Sequence, residues 1–204
     1  MNGILAVRLL IAGSLLAVLP GCSSTHIQST RHPAGVGVGP FRNVTVVGVD
    51  NRPIVRDPFE DDVVTLLRER GVEGTASHTF LSFDQIKGNK EQIRQRLLAA
   101  KAESVLFVRV TSRTDFVDGP PASLGDMDNM GAVDESRYVA FTSVGQDINT
   151  RFRLGARLYR VSDGAVIWSA VLDEVMKEDA DSMVFIRDTA KTIVERMARD
   201  KVIP

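Results

Sequence analysis

Residues 151–175 read RFRLGARLYRVSDGAVIWSAVLDEV. Phe152, Leu154, Ala156 and Leu158 alternate with Arg151, Arg153, Gly155 and Arg157, the two-residue period of a strand with one buried face. Ser162-Asp163-Gly164 supplies a turn, and Val166 to Val175 returns as a second strand. A three-residue loop with Gly164 in the left-handed region pairs Val161 with Ala165. That register sets Leu158 opposite Trp168, Ala156 opposite Ala170 and Leu154 opposite Leu172, and it brings Arg153 to Asp173 on the other face. A two-residue Asp163-Gly164 loop would set Leu154 against Asp173 and Leu158 against Ser169. Matching of apolar partners selects the longer loop, and it points Trp168 into the core.

Upstream of the hairpin the pattern alternates between strand and helix. Val44 to Val49 is a nearly continuous apolar run, as expected of a strand buried on both faces. Asp57-Pro58-Phe59-Glu60 carries the signals of a helix start, with Asp57 as cap and Glu60 completing a capping box. Phe59, Val63, Leu66 and Leu67 share one helical face, and Gly71 ends the helix. Val72 to Thr79 reads as a second strand. Asn89 caps a second helix running to about Ala102, with Ile93, Leu97 and Ala100 inward, and Val105 to Val110 is a third apolar strand.

Residues 112–136 read as a long insertion with Gly119-Pro120-Pro121, Gly125 and Gly131, followed by a strand from Arg137 to Val144. Loops of that length are uncommon and often functional. Downstream of the hairpin, Asp181 caps a last helix from Ser182 to Arg199, with Ile186, Ala190, Ile193 and Met197 inward. The expected fold is a single α/β (α+β) domain over 41–204. Its mixed sheet follows the order β-α-β-α-β-β-β-β-α, with right-handed crossovers in the parallel part.

The N-terminus has a different character. Residues 1–21 hold one charge, Arg8, and an apolar run from Leu9 to Leu19. As a helix that run spans roughly 17 Å, too short for a hydrocarbon core of about 30 Å. A basic start, a short apolar stretch and small residues after it make a signal peptide. The segment ends Leu19-Pro20-Gly21-Cys22, and Cys22 is the chain's single cysteine. It resembles the bacterial lipobox. The resemblance implies acylation of Cys22 after cleavage, and Ser23 rather than Asp then implies the outer membrane of a Gram-negative host. Each buried methylene contributes about 0.8 kcal/mol, so several acyl chains (palmitate or similar) anchor stably. Residues 22–40 read as the lipidated cysteine and a flexible, Gly-rich tether reaching at most roughly 60 Å.

Composition excludes several functions. Lys plus Arg is 25 and Asp plus Glu is 26, for a net charge of −1, which provides no basic excess for nucleic acid. One cysteine forms no internal disulfide and no Cys-rich zinc site. The three histidines, His26, His32 and His78, show no His-x-x-x-His spacing, and no Gly-x-Ser-x-Gly elbow occurs. Asp126-Met127-Asp128-Asn129 departs from the EF-hand pattern at Met130 and Arg137 and reads as a solvated loop. Glu60, Asp61 and Asp62 read as the acidic start of a helix. No cofactor or metal is expected.

Two sets of residues remain as candidates. Arg151, Arg153 and Arg157 share a strand face and suit an anionic group on an envelope protein or glycan. His78 is the only candidate base for a rival reading, a small periplasmic hydrolase or ligand-binding enzyme. The lipobox, the βαβαβ start and the stretch Leu158-Tyr159-Arg160-Val161-Ser162-Asp163-Gly164-Ala165-Val166-Ile167-Trp168-Ser169 together resemble a group of bacterial envelope lipoproteins. The hairpin is similar to those of the penicillin-binding-protein activator LpoB, CsgG-type lipoproteins and the N-terminal domain of TolB. The resemblance implies a non-catalytic, lipid-anchored binding or assembly module on the periplasmic face of the outer membrane.

Overall fold

The computed structural model describes residues 25–117 and 148–204. Cys22, Asp126 to Asn129 and the strand expected over 137–144 lie outside the described residues. Six strands form one mixed sheet: β1 (His26–Arg31), β2 (Asn43–Gly48), β3 (Glu73–Ala76), β4 (Ser104–Val117), β5 (Ile148–Arg160) and β6 (Val166–Met176). Their order across the sheet is β1-β6-β5-β4-β2-β3. Among the described residues the α-helices are α1 (Pro53–Glu69), α2 (Phe83–Ile86), α3 (Lys90–Ala99) and α4 (Ser182–Arg199). Strand β2 runs parallel to β3 and β4, and the other pairings are antiparallel.

The hairpin ladder has the expected register. Leu158 pairs with Trp168, Ala156 with Ala170, Leu154 with Leu172 and Arg153 with Asp173. The turn itself is longer than expected. Arg160 N–H donates to the Ala165 carbonyl, Tyr159 pairs with Val166, and Ile167 is the extra residue that restores the ladder. The expected Val161–Ala165 pair is therefore replaced by a four-residue turn and a bulge. Gly164 has φ +70°, which glycine adopts without strain.

Helices α1 and α4 cover one sheet face. Beneath them lie Val44, Val46, Leu106, Val108, Leu154, Ala156, Leu158, Trp168, Ala170 and Leu172, all buried. Ile186, Ala190, Ile193 and Met197 of α4 fill the same core, and the Asp181 carboxylate accepts from Met183 N–H as a cap. Helices α2 and α3 cover part of the other face. Ile86, Ile93 and Leu97 pack there on Val47, Val105 and Val161. Ala100 is exposed, because α3 ends one residue before it.

The expected flexible tether is corrected over most of its length. His26–Arg31 is an edge strand paired with β6 from Asp173 to Trp168. Pro33–Gly35 forms a 3-10 turn whose Gly35 is buried against Ile167, where a side chain would clash with the Ile167 carbonyl. Arg31 donates to the Gly35 and Val38 carbonyls, and Phe41 N–H donates to the Val202 carbonyl. The physical reason is the edge of β6, an eleven-residue strand whose outer backbone groups need partners. The start of the expected insertion is corrected too, since Ser112–Val117 continues β4 after a bulge at Thr111.

The start of α1 moves as well. The helix begins at Pro53, with Arg52 at the N-cap position and no side-chain cap, and not at Asp57-Pro58. Pro53 occupies the first position, where its missing N–H costs nothing. Asp50 holds the entry by accepting from the Arg52 backbone and guanidinium. Starting there puts Arg56 and Glu60 one turn apart on the inner side of a single helix. Glu60 is consequently a buried carboxylate and not a capping-box residue.

Candidate functional site

Two places hold the sequence candidates. The first is the half of the sheet face beside α2 and α3 that no helix covers among the described residues. Strand alternation puts Arg151, Arg153 and Arg157 on this face of β5, all exposed. Their local settings differ. Arg153 makes a two-pronged bond to Asp173, at 2.7 and 3.1 Å. That guanidinium, with added attraction from His26 and Arg151, holds the Asp173 carboxyl below its usual range despite some desolvation. Arg151 lies over the Phe116 ring, 5.0 Å from its centre. Arg157 sits opposite Ser169 on one side and Phe107 on the other.

Arg109 of β4 joins them, although sequence reasoning passed over it. It pairs with Gly155, whose missing side chain leaves a shallow gap between Arg109, Arg153 and Arg157 that the Thr111 methyl borders. The signal was a single charge inside the apolar run Val105 to Val110, but its placement needed the β4–β5 register. Among the described residues, Arg109 and Arg157 have no carboxylate within 4.0 Å. Val171, 45% exposed, faces outward beside Gly155. Two guanidinium groups without an acidic partner among the described residues present up to ten N–H donors to an anion.

The second place is a small cleft of about 250 Å³ at the C-terminal end of β2, lined by Asp50, Arg56, Asp57, His78 and Ser82 among others. Its charged groups are held from within. Arg56 Nε donates to Glu60 Oε1 at 2.9 Å, with the two side chains 7% and 0% exposed. Arg56 Nη2 also donates to Ser77 Oγ and the Leu81 carbonyl, both at 2.9 Å. Glu60 accepts from Gly48 N–H, Ser77 Oγ and His78 N–H at 2.8, 2.8 and 2.7 Å. This network clamps the β2 exit and the Ser77–Ser82 segment onto α1. The His78 ring pairs with Asp61, 2.9 Å from Nε2, and that carboxylate is largely exposed. Ser82 Oγ caps α2 in a capping box with Gln85. The arrangement joins His78 to one surface acid and turns Glu60 inward, away from the cleft.

No protein-family model matches this chain, and no curated protein matches it in sequence. Solved structures do match it. The PelC dodecamer from Paraburkholderia phytofirmans is 14% identical over 88% of this chain and 99% of its own, with a TM-score of 0.48. Lipoprotein GNA1162 from Neisseria meningitidis is 14% identical over 76% and 97%, with a TM-score of 0.41. A minor lipoprotein from Acinetobacter baumannii is 9% identical over 80% and 97%, with a TM-score of 0.37. Among the described residues, no helix is long and apolar enough to cross a membrane.

Proposed function

We propose that this chain is a lipid-anchored periplasmic binding or assembly module of the bacterial outer membrane, without catalytic activity. The observation that carries the reading is the open arginine face, where Arg109 and Arg157 stand without acidic partners among the described residues. The N-terminal lipobox at Cys22 supports the anchor. The hairpin's similarity to those of envelope lipoproteins of the LpoB and CsgG kind and of TolB supports the envelope setting. The partner that fits is an acidic one, an envelope protein or an anionic glycan, because guanidinium pairs recognise carboxylate and phosphate through paired N–H donors.

The rival reading, a hydrolase or ligand-binding enzyme around His78, has less to work with. Such a site needs a base within reach of a nucleophile and carboxylates free to act. Here Glu60 serves the Arg56 clamp and the Ser82 hydroxyl serves a helix cap.

Substituting Arg109, Arg151 and Arg157 with Ser tests the proposed face. The exposed positions change stability by less than about 0.5 kcal/mol each. Cross-linking in intact cells, followed by mass spectrometry, is expected to recover the wild-type partner several-fold more strongly than the variant's. Undiminished recovery by a variant with unchanged melting temperature overturns the arginine face.

A further inference from the structure

The docking of β1 changes what the anchor can do. His26 pairs with Asp173, and β1 runs antiparallel to β6, so the chain before His26 heads toward the end of the sheet where β6 finishes at Met176. Only residues 23–25 separate Cys22 from the paired strand. Four residue steps, even fully extended, span about 14 Å. A loose tether from 22 to 40 would have allowed several times that reach.

The same end of the molecule carries an apolar rim. Thr150 pairs with Met176, which places Ile148, at the start of β5, beside the end of β6. Helix α4 starts here too, and its Phe185 packs on Phe152 with ring centres 5.3 Å apart. Arg187, five residues into α4, lies 3.9 Å from Asp62, nine residues into α1, so both helices start at this end, offset by about one turn. Ile54 in the first turn of α1, Ile148, and Met183 and Val184 in the first turn of α4 are all between 41% and 76% exposed. Exposed large apolar side chains at one end of a domain mark a contact surface.

We infer that this rim is a membrane-contact surface. Ile54, Ile148, Met183 and Val184 seat at the headgroup–acyl boundary of the bilayer that holds Cys22. This rests on the lipid-anchor reading of Cys22. The short link fixes which end of the domain meets the bilayer, and the rim gives that end apolar area to bury there. The β4–β5–β6 strands then rise from the surface, with the arginine face looking sideways along the membrane and the Ser162-Asp163-Gly164 turn farthest from it. The fit is to a bilayer and not to a second protein because the covalent anchor already brings the rim to the lipid.

The chain's single cysteine makes the test clean, since acylation of Cys22 leaves an introduced thiol as the only one to label. Val184→Cys and Ser162→Cys are each coupled to an environment-sensitive fluorophore in the full lipidated protein. The proteins are then reconstituted into phosphatidylethanolamine–phosphatidylglycerol vesicles containing a lipid with a nitroxide on its acyl chain. Quenching is expected to be several-fold stronger at position 184 than at position 162. Equal quenching at the two positions, or none at 184, in protein that sediments with the vesicles overturns the apposition and leaves the anchor standing. Protein with an unacylated Cys22 that stays in the supernatant overturns both.

Discussion

Replacing Arg56 with Ala should lower the unfolding free energy by about 3–5 kcal/mol. The guanidinium is the only cation paired with Glu60 among the described residues, and both side chains are almost entirely removed from water. Without it the carboxylate stays buried among Gly48 N–H, Ser77 Oγ and His78 N–H, with its charge uncompensated. The Leu81 carbonyl and Ser77 hydroxyl also lose a donor. Glu60→Leu should cost at least as much, because four donors are orphaned together, the buried Arg56 guanidinium among them, whereas Glu60→Gln keeps an oxygen facing them and should cost less. Urea unfolding followed by tryptophan fluorescence reads all three. A loss under about 1 kcal/mol for Arg56→Ala would show that the network is not the clamp described here.

The second large effect centres on Asp200, just after α4. Its Oδ2 accepts from Trp168 Nε1 at 2.7 Å, from Ser29 Oγ and from Arg196 Nε. Three distant parts of the chain meet there: edge strand β1, the hairpin and the end of the last helix. Asp200→Ala strips the fully buried indole of its acceptor and should cost about 2–3 kcal/mol. Burial works against ionisation of Asp200, but the bonds from Ser29, Trp168 and Arg196 outweigh it and hold the carboxyl below its ordinary range. A depressed carboxyl stabilises the fold fully above its unfolded pKa, about 3.9, and the benefit is lost as pH falls through the lower folded value. Trp168 is the chain's single tryptophan, so its emission reports the bond directly. The native emission should shift on acidification from about pH 4 downward and lose that transition in Asp200→Ala. An identical acid transition in the variant would assign it elsewhere.

The hairpin and last helix were legible because their information is local. A two-residue period and a matched row of apolar partners fix a strand ladder, and Asp181 followed by a regular apolar face fixes α4. The extra residue at Ile167 was not legible, since the turn and ladder satisfy different registers and only their joining shows the bulge. The order of segment 26–40 is hidden from its own sequence for a different reason. Small polar residues and glycines look unstructured alone, and what orders them is the free edge of β6 and the Asp200 cluster, 171 positions from Ser29. Glu60 shows the same limit at the second site. An acid near a helix start carries one signal whether it caps or is buried, and Arg56, Gly48 and Ser77 decide between them. On the open face, alternation in β5 located Arg151, Arg153 and Arg157, while Arg109 required pairing across a long intervening segment.

The proposed function requires that Cys22 hold the protein on the membrane. The most direct measurement is the mass of the N-terminal peptide from membrane-extracted protein, with Cys22→Ser fractionated in parallel. A mature chain beginning at Cys22 and bearing acyl chains is expected, with the Ser variant released or left unprocessed. A free Cys22 thiol in the native protein, or a Ser variant that fractionates and migrates as the wild type does, would contradict it.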